Sequence, residues 1–144
     1  MNDKKMLVTG GCLCGAIRYE SDQAHYDAGY CHCTMCQKGL GSLFGAFALF
    51  KTAHFRFISG ELKWYITEDL VKRGFCENCG SPISYQRPES DYLVIWIGTL
   101  DNPEACEPKW HGWTDSKISW VDIHSDLPDK TKSMPSYRAA MRAT

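Results

Sequence analysis

The chain has 144 residues, of which 44% are hydrophobic and 23% charged, and a formal net charge of −1. These values suit an ordinary globular domain large enough to bury a core without cross-links. They speak against two classes of partner: scattered Lys and Arg residues offer no basic stripe to a nucleic acid, and no apolar run approaches the roughly 20 residues of a membrane-spanning helix.

The opening stretch "MNDKKMLVTGG" lacks the apolar core of roughly 7 to 15 residues that a secretory signal requires, so the expected location is cytoplasmic. Thiols there stay reduced, and close-spaced cysteines more often bind metal or take part in catalysis than form disulfides. The chain carries eight.

In chain order, "GGCLCGAIRYE" holds Cys12 and Cys14 between Gly10, Gly11 and Gly15, then runs into an alternating strand, "AIRYE" (16–20). "YCHCTMCQKG" carries Cys31, Cys33 and Cys36, with a short helical turn expected after Cys33. "SLFGAFALF" (42–50), broken by Gly45, suits a buried strand. "HFRFISGELKWYI" (54–66) reads as two strands joined around Ser59 and Gly60, and "GFCENCGSPISY" brings Cys76 and Cys79. "DYLVIWIGTLD" (91–101) is the strongest strand, β-branched and aromatic at its centre. "SWVDI" before His124 is strand-like, and the tail "PSYRAAMRA" alone resembles a helix. The class is mainly β. No repeat or linker interrupts residues 1–144, which are read as a single domain. Phe55, Phe57, Trp64, Tyr65 and Trp96 are expected in the core. Trp110, Trp113 and Trp120 cluster near His111, where an aromatic-rich loop could close over a pocket.

Cysteine spacing narrows the chemistry. Cys76-x-x-Cys79 followed by Gly80 has the form of a zinc knuckle, in which the turn aims both sulfurs at one ion and Gly80 takes a positive φ. A closed zinc site needs four ligands, and Cys12 with Cys14 supplies a second compact pair. Cys31, Cys33 and Cys36 have no obvious fourth partner. Three ligands and one open position is the arrangement of a reactive zinc. His32, between two ligands, is expected to point away from their shared ion. Other readings stay open: a redox dithiol at Cys33 and Cys36, which lacks its usual βαβ context, and a second closed zinc completed by a further His or Asp. Cys106 reads as an ordinary semi-buried thiol. His25 and His54 have no motif around them.

The pieces "GGCLCGAIRY", "CHCTMCQKGLGS", "FRFISGELKWY", "RGFCENCGSPISY", "IGTLD" and "HGWTDSKISWVDIHSDLP" run from residue 10 to residue 128. In order and spacing they resemble the glutathione-dependent formaldehyde-activating enzyme family, which includes the centromere protein V type of domain. The resemblance implies antiparallel sheets organised around a structural zinc, similar to the fold of a small zinc-bearing Rab accessory protein. It implies two zinc ions: a structural one on Cys12, Cys14, Cys76 and Cys79, and a catalytic one on Cys31, Cys33 and Cys36. It implies a carbon-sulfur lyase activity, run as the condensation of glutathione with formaldehyde to S-hydroxymethylglutathione. His111 matches a family histidine and is a candidate proton carrier.

A zinc held by three thiolates is a weak Lewis acid, so capture of a small thiol such as glutathione is favoured over activation of formaldehyde or another aldehyde. Seven ligating thiolates and two zinc ions would take the formal charge from −1 to about −4. Anionic glutathione would then need local cations, for which Lys38, Arg73 and Arg87 are candidates. Two alternatives stand beside the enzyme: a non-enzymatic zinc-stabilised protein-binding module and a thiol or zinc redox sensor. A homo-oligomer stays open.

Overall fold

The structure, a computed structural model, describes residues 7–133. It is mainly β. The strands are β1 (Val8–Gly11), β2 (Arg18–Ser21), β3 (Asp27–Cys31), β4 (Gly45–Lys51), β5 (Phe55–Ser59), β6 (Lys63–Ile66), β7 (Lys72–Phe75), β8 (Pro82–Gln86), β9 (Tyr92–Trp96) and β10 (His111–Gly112). A seven-residue helix, α1 (Thr34–Leu40), separates β3 from β4. No helix among the described residues is long and apolar enough to cross a membrane.

The strands form two sheets, a three-stranded one in the order β1-β2-β5 and a seven-stranded one in the order β10-β3-β4-β9-β8-β7-β6. The pairs are antiparallel except for β10 with β3, which run parallel, so the larger sheet is mixed.

β4 and β9 lie side by side in the larger sheet because both faces of each are apolar. Strand side chains alternate between faces. Ala48 and Phe50 of β4 and Leu93 and Ile95 of β9 therefore join one core, with Ile17 and Tyr19 and with the half-buried Phe55 and Phe57 of the small sheet. Phe47 and Trp96, opposite each other in the register, enter a second core with Tyr85, Trp110, Trp113 and the three sulfurs of Cys31, Cys33 and Cys36. One core thus packs the two sheets together, and the other surrounds a cysteine cluster.

The apolar strands expected at 42–50 and 91–101 are present, trimmed to Gly45–Lys51 and Tyr92–Trp96. Residues 54–66 do hold two strands with a break at Gly60, whose φ is +73°. They do not pair with each other: β5 pairs with β2 in the small sheet and β6 with β7 in the large one, so the chain changes sheets there. Tyr65, expected in the core, is 63% exposed because β6 is an edge strand that turns alternate side chains to solvent. "SWVDI" is not a strand; residues 119–123 form turns and irregular chain. The helix expected in the tail lies outside the described residues.

Phe50→Ala, which empties a fully buried position between the sheets, is expected to cost about 3–5 kcal/mol of unfolding free energy. The same truncation at Ile58, half exposed on β5, should cost less than about 1 kcal/mol. Urea unfolding followed by tryptophan fluorescence measures both.

Candidate metal centres

The first cluster is built by two turns from different sheets. β1 ends at Gly11 and turns through Cys12–Gly15, closed by a hydrogen bond from the Gly15 N–H to the Cys12 carbonyl at 3.2 Å. β7 ends at Phe75 and turns through Cys76–Gly80, closed from the Gly80 N–H to the Cys76 carbonyl at 2.7 Å. Gly15 and Gly80 have φ of +83° and +79°, a conformation that side chains disfavour. The Leu13 N–H donates to Ser81 Oγ at 3.0 Å, joining the two turns directly.

These turns bring Sγ of Cys12, Cys14, Cys76 and Cys79 within 4.8 Å of one another. Cys12 and Cys14 Sγ are 3.6 Å apart, and Cys14 and Cys76 Sγ 3.8 Å. A disulfide would need about 2.05 Å. Four sulfurs at about 2.3 Å from a tetrahedral zinc would lie about 3.8 Å apart, so the donor set fits such an ion. Its surroundings suit thiolates as well. The Ile17 N–H donates to Cys12 Sγ at 3.2 Å and Asn78 Nδ2 to Cys14 Sγ at 3.2 Å. The Ser81 hydroxyl, 3.2 Å from Cys79 Sγ, and its backbone N–H pull Cys79 down to about 5.

Cys31, Cys33 and Cys36 form the second cluster, with all three sulfurs within 4.8 Å of one another and all three residues buried. Cys31 ends β3, Cys33 is the N-cap of α1, and Cys36 lies in its first turn. Cys33 Sγ accepts the Cys36 N–H at 3.2 Å, so the cap that starts the helix also aims two sulfurs at one point. Gly41, with φ of +61°, ends the helix one turn later. Hydrogen bonds from Cys31 and Cys36 pull Cys33 down to about 3. Cys36 accepts a lowering hydrogen bond from Cys31, yet its own bond to Cys33 and its burial push it up to about 12. Its own hydrogen bonds to Cys33 and Cys36, with burial, hold Cys31 well above the usual thiol range. Three thiolates in this apolar core would repel one another without a cation. The donor set therefore fits a metal with three protein ligands.

His32 is fully buried and turns away from the sulfurs, as expected of a residue between ligands. Its Nε2 lies 2.8 Å from His111 Nδ1, and the two rings stack with centroids 5.1 Å apart. His111 sits on β10, held beside β3 by the register of His111 with Tyr30 and Gly112 with Cys31. Its Nε2 must donate to the His124 carbonyl at 2.9 Å. In neutral His111 the Nδ1 is then an acceptor, so His32 donates from Nε2 and its buried Nδ1 is a bare lone pair without a partner among the described residues. Burial and the neighbouring His111 pull His32 down to about 4. His111 thus lies beside His32 rather than among the sulfurs. No sequence signal joins residues 79 positions apart.

The aromatic segment near His111 is not one loop over a pocket. Trp110 packs edge-on against Phe47 and donates to Asp27 Oδ2 at 3.0 Å, Trp113 is buried in the core that holds the three sulfurs, and Trp120 is 71% exposed. Trp113 has φ of +56°, a left-handed backbone that costs a side-chain-bearing residue about 1–2 kcal/mol. Cys106 is more buried than expected and stands 3.2 Å from His25 Nδ1, apart from both clusters. Of the three candidate cations, Arg73 reaches a cluster, with Nη2 3.8 Å from Cys36 Sγ. Lys38 lies exposed in the last turn of α1.

Residues 7–116 match a family model described as "Glutathione-dependent formaldehyde-activating enzyme". Over 135 residues the chain is 27% identical to a Halomonas elongata protein named "Putative glutathione-dependent formaldehyde-activating enzyme", covering 87% of this chain and 86% of that protein. Its fold is similar to the crystal structure of a Rhodobacter sphaeroides protein solved as a structural-genomics target, with a TM-score of 0.55, 20% identity, and coverage of 84% of this chain and 98% of that one.

The two clusters should differ when broken. Cys76→Ser, which opens the junction between sheets, is expected to cost more than about 3 kcal/mol, part of the roughly 10 kcal/mol or more that structural zinc supplies in small domains. Cys36→Ser should cost clearly less. Chemical unfolding of each variant, with and without a chelator, makes the comparison, and the chelator should destabilise the wild type more than it destabilises Cys76→Ser.

Proposed function

Because the chain belongs to the glutathione-dependent formaldehyde-activating enzyme family, we propose that it joins a small thiol, glutathione in the first instance, to formaldehyde or a related aldehyde. The observation that carries this reading is the contrast between the clusters: four sulfurs from two turns in one, three buried sulfurs in the other. In this reading Cys12, Cys14, Cys76 and Cys79 hold a structural zinc, and Cys31, Cys33 and Cys36 hold a second, reactive one.

Held by Cys31, Cys33 and Cys36, a zinc would supply a positive charge able to keep a substrate thiol ionised at neutral pH. The remaining work falls to the protein. Cys33, fixed as a helix cap, and Cys31, fixed at a strand end, hold their sulfurs together in place. The core of Phe47, Trp96, Trp110 and Trp113 around the sulfurs excludes water, and holding thiol and aldehyde together supplies most of the rate gain. A bond forms between the thiolate sulfur and the aldehyde carbon while the carbonyl π pair moves to oxygen. That oxygen takes up the proton the thiol gave up, giving a hydroxymethyl thioether. The reaction is formally a carbon-sulfur lyase in reverse. His111 is the proposed proton carrier. Since its Nε2 is committed to the His124 carbonyl, it would accept at Nδ1, through His32.

Exchange NMR on an equilibrium mixture of formaldehyde and glutathione tests the assignment, because the uncatalysed reaction sets the baseline. Metal-loaded protein should accelerate exchange, and Cys36→Ser should lower the acceleration by about 100-fold or more, the scale of lost positioning. A fully loaded wild-type sample that leaves the baseline unchanged would refute the thiol-aldehyde activity and favour a binding role.

A further inference from the structure

The edges of the two sheets are not alike. β10 is covered by residues 128–130, which hydrogen-bond to His111, and β1 is bridged at Gly10 to Leu100. β5 carries the charged Arg56 near its centre, and its register with β2 is shifted, a break that twists an edge away from new partners. β6 has none of these protections. Its register with β7 runs unbroken from Lys63↔Phe75 to Ile66↔Lys72, no Pro interrupts it, and it has no second neighbour among the described residues.

The direction of its free backbone groups follows from the ladder. The Thr67 N–H donates to the Val71 carbonyl at 2.9 Å, continuing the pairing of β6 with β7. Bonded positions alternate along an antiparallel pair, so Lys63 and Tyr65 bond inward to β7. The N–H and C=O of Trp64 and Ile66 therefore point outward. Neither residue has a backbone partner on that side among the described residues. The side chains along this edge are apolar, and Tyr65, Ile66 and Leu70 are each more than half exposed.

Two copies of the edge satisfy each other when they run antiparallel about a two-fold axis through Tyr65. Trp64 of each copy then exchanges hydrogen bonds in both directions with Ile66 of the other. The two Tyr65 side chains meet on one face, and on the other Trp64 is set against a β-branched side chain, a favourable cross-strand pair. Charge selects the same partner and the same direction. β6 starts on Lys63 and runs into Glu68 and Asp69, all three exposed and without an ion pair among the described residues. Antiparallel pairing brings Lys63 of each copy to the acidic turn of the other, whereas parallel pairing would set like charges together. We propose that β6 is a dimerisation edge, which pairs with β6 of a second copy of this chain and joins the two larger sheets into one continuous sheet. So short a paired segment makes a small interface, and the dimer is correspondingly weak.

Sedimentation velocity of the metal-loaded protein from about 1 μM to about 1 mM should show a monomer-dimer equilibrium. Amide hydrogen exchange at single-residue resolution locates the interface. The N–H groups of Trp64 and Ile66 should be protected in concentrated samples and exchange freely in dilute ones, while the Tyr65 N–H stays protected in both. Ile66→Pro removes an outward N–H and leaves the ladder to β7 intact. It should weaken the dimer about tenfold or more, because the two-fold axis repeats each lost bond, with circular dichroism and metal content unchanged. Lys63→Glu should weaken it about fivefold at low salt, and adding Glu68→Lys and Asp69→Lys to the same chain should restore it. A monomer at every concentration would overturn the proposal, as would a dimer in which the Trp64 and Ile66 N–H groups exchange freely. Protection of both amides in the dilute monomer would also overturn it, by placing another segment of the same chain on the edge.

Discussion

The four sulfurs of Cys12, Cys14, Cys76 and Cys79 sit where two separately built sheets meet. β1 delivers one pair and β7 the other, each through a glycine-closed turn, and each turn points backbone or side-chain donors at sulfur. Without a shared partner, these sulfurs would be a cost at the junction, since protons and repulsion both oppose close approach. With one, the same geometry joins the small sheet to the large one and completes the core of Tyr19, Phe50 and Ile95 between them.

The three-sulfur cluster depends on that junction only indirectly. Its sulfurs come from adjacent chain, a strand end and a helix start, so six residues suffice to assemble it. What the rest of the fold adds is the environment: β10 brings His111 to His32 across 79 positions, β9 brings Trp96, and β7 brings Arg73 to Cys36. β7 therefore carries both Arg73 and the approach to Cys76. A disturbance of the four-sulfur junction would be felt at the three-sulfur cluster through that strand. Trp113, held in a left-handed backbone inside the same core, shows that packing there outweighs local conformational preference.

How much of this was legible in the sequence follows from the range of each interaction. The cysteine clusters, the helical turn after Cys33 and the positive φ of Gly80 are set by neighbours within a few positions, and spacing revealed them. The strands at 45–51 and 92–96 were legible because burial on both faces writes an unbroken apolar run. Pairing was not: residues 54–66 read as one joined unit, yet partner choice depends on β2 and β7, which local pattern does not encode. The same limit hid the exposure of Tyr65 on an edge strand and the stacking of His32 on His111. Arg73 stood out as one cation among three, and distance alone distinguished it from Lys38.

The central claim is that the chain carries one closed and one open metal-thiolate centre. X-ray absorption at the zinc edge of the purified protein, together with its metal content, tests it most directly. The account predicts two ions per chain with an average of about 3.5 sulfurs each, four in one centre and three plus a lighter ligand in the other. A single ion with four sulfurs, or two ions with four sulfur ligands each, would contradict it.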